Sequence, residues 1–298
     1  MFAYRHSGLT VSSDIELPEW EAFAAEPVEE PDVRIAISYL TCPDGWTGAT
    51  GGSADCAHFA VEGVGGWRIE KGRQITLFPA PSADARELRL FTLGSAWGLL
   101  GYQRGDAMWH GSAVSVGERT VMFCGDAGEG KSTMAAAMLD AGATLVADDL
   151  SHVEPGEGAP VIHPSSSRLK LWGEAVGHFG WRERVLHRDF MREDKFHCAD
   201  ARHHAGGDAL PLSLVVVLQT GKDHRLKPLR GGEAVQAVLK GTIYRPEALE
   251  ALGRWQEQAI AASRIVAGCS VARLTRPRDL AALDRSTRLI IEFLGSLG

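Results

Sequence analysis

Cysteine and lysine are scarce in this chain of 298 residues. The five cysteines (Cys42, Cys56, Cys124, Cys198 and Cys269) are odd in number, far apart and never spaced as Cys-x-x-Cys. That argues against a disulfide framework and fits a reducing compartment. Long apolar runs are missing as well. The longest, Leu212 to Leu218, is too short to cross a bilayer and reads as a strand. The opening Met1-Phe2-Ala3-Tyr4-Arg5-His6 lacks the apolar stretch of a secretory signal. There is no basic excess either, since the formal net charge is -7, which gives no support to a nucleic-acid partner. These absences lead to the expectation of a soluble, cytoplasmic protein with neither membrane nor nucleic acid as partner. With hydrophobic residues at 45% and charged residues at 23%, the chain can build a sizeable core, and disorder, collagen and coiled coil are excluded for the whole.

Residues 1–84 carry short segments punctuated by Gly and Pro. Val33 to Ile37 and Gln74 to Phe78 alternate as strands do, and Thr47 to Ser53 is a Gly-rich loop. This part reads as a small β-rich domain with Trp20, Trp46 and Trp67 in its core. From Ala85 the pattern changes, and a second domain is expected over 85–298. An apolar helix runs to Arg104, followed by a strand over His110–Val116, a turn at Gly117-Glu118 and a buried strand over Thr120–Cys124. A helix over Lys131–Ala141 and a strand over Thr144–Ala147 come next. Residues 155–168 read as a loop, 181–204 as a charged segment, and two or three amphipathic helices close the chain.

Between the buried strand and the Ala-rich helix stands Gly125-Asp126-Ala127-Gly128-Glu129-Gly130-Lys131-Ser132, followed by Thr133. It satisfies the phosphate-loop (Walker A) pattern G-x-x-x-x-G-K-[ST] in the strand–helix context that pattern needs. Glycines let backbone N–H groups turn inward around phosphate oxygens, and the helix N-terminus beyond adds partial positive charge. Lys131 is placed to bridge the β- and γ-phosphates of ATP, and the Ser132 hydroxyl to ligate Mg²⁺. The next strand runs into Asp148-Asp149. One carboxylate suits the metal and the other a general base, against the plainer reading that one of them caps a turn. The residues alone leave the division of roles open. His110, on the preceding strand, is by itself an ordinary strand histidine.

These residues together resemble a known family. His110-Gly111, the hairpin, Gly-Asp-Ala-Gly-Glu-Gly-Lys-Ser-Thr and the downstream Ala147-Asp148-Asp149 look like the catalytic domain of HPr serine kinase/phosphorylases. The whole chain looks more like their shorter relatives, the lasso-peptide precursor kinases. Leu17-Pro18-Glu19, Arg104-Gly105, Ser165 to Trp172 and Leu274-Thr275-Arg276-Pro277-Arg278-Asp279-Leu280 extend that likeness along the chain. The resemblance implies an α/β P-loop kinase core of the HPr kinase/PEP carboxykinase type, a central mixed sheet with flanking helices, preceded by the β-rich domain. It further implies transfer of the γ-phosphate of ATP, with Mg²⁺, to a serine of a peptide or small protein, with Asp148 as base, Asp149 as metal ligand and His110 as a partner tuning Asp148. A homo-oligomer is compatible with it. Two departures stand out: Ala127 where the family usually has Ser, and Thr133 where HPr kinases carry Glu. No segment corresponds to an HPr-docking signature, which argues against HPr as the acceptor.

Other candidates carry a plain alternative. Arg168, Lys170 and Lys195 are expected acceptor or phosphate contacts and read equally as solvated surface. His197, Cys198, His203 and His204 fit no common zinc spacing; a mobile lid or an acceptor-binding loop suits their segment better. Against the kinase stand an ATPase or transporter subunit, an HPr-type bifunctional kinase/phosphorylase and a nucleotide-sensing module; the Leu-Ser-Gly-Gly-Gln signature of transporters is absent. A Lys131→Ala variant is expected to fold, on the view that a solvent-facing loop lysine supports no core, and to lose ATP-dependent phosphorylation. Near-normal turnover in that variant would remove the phosphate-loop assignment.

Overall fold

Strand β-propensity and turn glycines set the first half of the chain. In the computed structural model, which describes residues 1–156, 158–189, 192–204 and 207–297, the chain divides into two units. The first comprises 1–108 with 244–260, and the second 109–243 with 261–298.

The first unit is built on a seven-stranded sheet of β1 (Phe2–His6), β2 (Leu9–Ser13), β3 (Val33–Ile37), β4 (Gly51–Ser53), β5 (Cys56–Val61), β6 (Gly65–Glu70) and β7 (Gln74–Pro79), in the order β1-β2-β3-β7-β6-β5-β4. Against it lies a helical run of α1 (Ala85–Phe91), one π turn (Thr92–Ala96) and α2 (Trp97–Arg104). Asp84 caps this run through its side chain on the Arg86 N–H. Trp67 is fully buried and donates its indole N–H to Thr92, while Trp20 stacks on His6 at 3.9 Å. Trp46, expected in the core, is half-buried and stacked on His58. Residues 85–104 therefore group with the N-terminal sheet, whereas the sequence-based division falls at 84/85. The apolar face of this run is what the sheet buries.

The second unit holds β8 (Ala107–Val116, from Trp109 on), β9 (Arg119–Cys124), α3 (Lys131–Asp140), β10 (Thr144–Glu154), β11 (Val161–Ile162), β12 (Arg168–Trp172), α4 (Gly173–His178), β13 (Val185–Arg188), β14 (Lys195–Ala199), β15 (Leu210–Thr220), β16 (Arg225–Leu229) and α5 (Gly231–Thr242). After α6 (Pro246–Ala251) in the first unit, α7 (Trp255–Gly268) leads back to β17 (Ser270–Arg276) and α8 (Leu283–Ser296). The main sheet runs β11-β10-β8-β9-β15-β17-β16. It is mixed: β15 is parallel to β9 and β17, while β8–β9 and β16–β17 are antiparallel. Buried on both faces, β15 reads as a continuous apolar run. Helices α3 and α8 supply Met134, Met138, Leu139, Ile290 and Leu294 to the core around Val121, Leu214 and Val216.

Three expectations need correction. The strand from Thr144 does not stop at the aspartates but continues to Glu154. The described residues of 181–204 are largely ordered in short elements packed on the core. Their strands β13 and β14 join β12 in a three-stranded sheet, with Trp181 and Cys198 buried in the core. Charged and polar residues on one face of β12 and β14 hid their apolar face from a reading by composition. The chain's end also holds strands β16 and β17 among its helices, and β17 alternates Leu274 inward with Arg273 and Thr275 half-exposed.

Leu214 is fully buried in this core, so Leu214→Ala should cost about 2–5 kcal/mol in urea unfolding of the whole chain. A loss below about 1 kcal/mol would mean that the β15 core is not packed as described.

Candidate functional site: two carboxylates at a glycine-rich loop

The loop between β9 and α3 is shaped by backbone that only glycine adopts easily. Gly130 caps α3 with a φ of 80°, and a Cβ there would lie 2.6 Å from Arg276 Nη2. Gly125 has a φ of 141°, and its Cβ would meet the Leu218 carbonyl at 2.8 Å. The loop thus lies against β15 and β17 at these two glycines, where a Cβ would meet backbone at Gly125 and the Arg276 guanidinium at Gly130. Lys131 folds back over it, donating to the carbonyls of Gly125 (2.9 Å) and Asp126 (3.2 Å). It is buried, not solvent-facing as expected, and that burial lowers its pKa.

Asp148 is the hub. Its Oδ1 accepts from Ser112 Oγ at 2.6 Å and from Ser132 Oγ at 2.8 Å, and its Oδ2 accepts from the Lys170 backbone N–H at 2.9 Å. Burial, reinforced by the neighbouring Asp149 charge, raises its pKa. Asp149 sits in the opposite state. Burial would raise its pKa, but Lys170 Nζ at 2.6 Å and the nearby His110 outweigh that and hold the carboxyl far below its usual range. Successive strand residues normally face opposite ways. Asp149 escapes through a φ of 73°, a left-handed conformation costly for a non-glycine residue. Such strain is a recognised mark of functional sites.

His110 lies beside Asp149 rather than Asp148. Its Nδ1 is 3.0 Å from the Asp149 carbonyl oxygen and 3.5 Å from Oδ1. The pairing expected from the resemblance thus goes to the other aspartate, because the turn at Asp149 brings its backbone and carboxylate towards β8. Burial lowers the pKa of His110, and the Asp149 carboxylate opposes that.

The small three-stranded sheet supplies the cations. Leu169, Leu171 and Cys198 face the core, while Lys170 is paired opposite His197 and Trp172 opposite Lys195. Lys170 bonds Asp149 directly, whereas Lys195 lies over the Trp172 ring, with its pKa lowered by burial against the pull of Asp148 and then Asp149. Arg168 lies two residues before Lys170 on the same strand face; burial first, and then its charge, lower the pKa of His197. His197, Cys198, His203 and His204 do not converge: His197 pairs with Asp189, Cys198 is in the core, His203 meets the Asp200 carbonyl and His204 meets Ser115.

Three residues at the site escaped the sequence reading of roles. Ser112, two positions after His110 on β8, shares its strand face by period-two alternation, a signal that was available. Arg276 and Arg278 donate to the loop carbonyls of Glu129 (2.8 Å) and Gly128 (2.5 Å). Nothing in the motif Leu274-Thr275-Arg276-Pro277-Arg278 itself says that β17 ends beside the loop.

The donors fit a phosphate ligand and a hard cation. Gly125 and Gly130 bring the loop backbone close to its neighbours, and Ser132 with Asp148 offers the oxygen donors Mg²⁺ prefers. Neither a protein-family description nor any curated protein matches the chain. Among solved structures, the HPr(Ser) kinase/phosphatase from Coxiella burnetii is similar at 14% identity and a TM-score of 0.31, over 62% of this chain and 98% of that one.

Because Asp149 is the group that opposes the lowering at His110, Asp149→Asn should move the imidazole titration further down in NMR. An unchanged or raised titration would contradict the contact.

Proposed function

We propose that the chain is an ATP- and Mg²⁺-dependent kinase that phosphorylates a serine hydroxyl of a peptide or small protein. The acceptor class we favour is the precursor peptide of a ribosomally made, lasso-type natural product. The observation that carries the phosphotransfer reading is the pair of carboxylates with unlike surroundings at one glycine-rich loop, one buried and tied to Ser132, the other partly open and tied to cations.

Their surroundings support the opposite division of roles from the one the resemblance implies. Asp148 has both oxygens engaged and is joined to the loop serine, so Ser132 and Asp148 are the residues that would hold Mg²⁺. When bound there, the ion would neutralise phosphate charge. Asp149, whose side chain is 37% exposed, is the carboxylate an acceptor hydroxyl can reach. Kinase transition states are loose, so positioning matters more than base strength. A carboxylate held ionised by Lys170 can therefore orient the hydroxyl and take its proton as the serine oxygen bonds to the γ-phosphorus and the bond to the ADP oxygen breaks. His110 and Lys170 fix that carboxylate; Lys131 and Lys195 place positive charge around the transferred group.

Reactions with ATP, Mg²⁺ and a serine-bearing peptide encoded beside this gene should give a mass gain of one phosphate on the peptide, absent from its Ser→Ala version. Hydrolysis of ATP with every peptide untouched would favour an ATPase. Asp149→Asn should lower kcat by about 10²–10⁴-fold with nucleotide affinity little changed. Unimpaired turnover in that variant would end the base assignment.

A further inference from the structure

A second cluster of ligand-type side chains lies farther along the strand that carries the aspartates. His152 and Glu154 are two residues apart on β10 and so share one face of it. The antiparallel register that pairs Val153 with Ile162 puts His163 directly opposite His152, and the His163 N–H donates to the His152 carbonyl at 3.0 Å. The two imidazoles stack at 4.7 Å between centroids. Glu154 Oε1 lies 3.3 Å from His152 Nε2 and 3.2 Å from His163 Nε2. One ligand atom from each residue falls within 4.8 Å of the others.

Hydrogen bonding does not account for the His163 ring. His163 is only 9% exposed, yet neither of its ring nitrogens has a hydrogen-bond partner. The 3.2 Å approach to Glu154 is close enough, but its direction is wrong for a hydrogen bond. A buried imidazole left this way is unfavourable unless something else takes a lone pair. Two ligands about 2.0–2.1 Å from one tetrahedral ion stand about 3.3 Å apart, which is the separation of Glu154 from each histidine. Glu154 is partly exposed, leaving a side open to solvent through which an ion can enter and where water can complete the shell.

We propose that His152, Glu154 and His163 form a binding site for a first-row divalent cation, zinc in the first instance, with water as fourth ligand. The site is separate from the loop cluster and does not depend on the kinase reading. It clamps β11 to the strand that bears Asp148 and Asp149.

The test uses the full chain, stripped with a chelator, and Zn²⁺ titrated in competition with a chromophoric chelator. The wild type should take up one tightly held equivalent. His163→Ala and Glu154→Gln should each weaken that uptake roughly tenfold or more. Glu154 is a surface-reaching side chain, so its variant should fold even if the histidine variant does not, and circular dichroism of the zinc-free proteins checks both. Zinc should raise the Tm of the wild type and leave that of Glu154→Gln little changed. Co²⁺ in place of zinc should give the intense visible absorption of a four-coordinate ion only in the wild type. Equal uptake by wild type and folded variants, or no uptake by the wild type at micromolar zinc, would overturn the proposal.

Discussion

Adjacent residues of a β-strand send their side chains to opposite faces, and the loop-mouth chemistry depends on Asp148 and Asp149 not doing so. The left-handed turn at Asp149 is what brings both carboxylates to one place. Such a conformation costs of order 1–3 kcal/mol in a non-glycine residue, and two like charges side by side add to the cost. The surroundings offset it. Ser112, Ser132 and the Lys170 N–H satisfy one carboxylate, and the Lys170 ammonium with His110 satisfies the other. Lys170 serves both through different atoms, so the position of β12 sets the geometry of the pair.

That position comes from packing. The three-stranded sheet of β12, β13 and β14 has one apolar face, with Leu169, Leu171 and Cys198 in the same core that anchors α3 and α8. Its other face carries Lys170, Lys195 and His197. The glycine-rich loop and the cations are therefore braced on one body of side chains, and β15 and β17 close the loop's far side through Leu218, Arg276 and Arg278. A site fixed from two sides suits chemistry that works by positioning.

The loop with its lysine and serine was legible because a short motif confines it, the paired aspartates because they follow the next apolar strand, and His110 only through the resemblance. The strand–loop–helix around them was legible from apolar runs at either side. What the sequence hid was set by tertiary placement. It could not show that Lys131 is buried, that His110 lies with Asp149, or that a charged stretch folds as a two-faced sheet. His152, Glu154 and His163 were invisible for the same reason. Their convergence depends on the register of β10 with β11, and β11 is only two residues long inside an apparent loop.

Nucleotide titration by calorimetry, with and without Mg²⁺, tests most directly whether the buried and the open carboxylate divide the work. The account predicts that Asp148→Asn removes most of the Mg²⁺-dependent gain in ATP affinity, while Asp149→Asn binds Mg²⁺ and ATP much as the wild type does. The reverse pattern, or a wild type that binds no nucleotide, would contradict it.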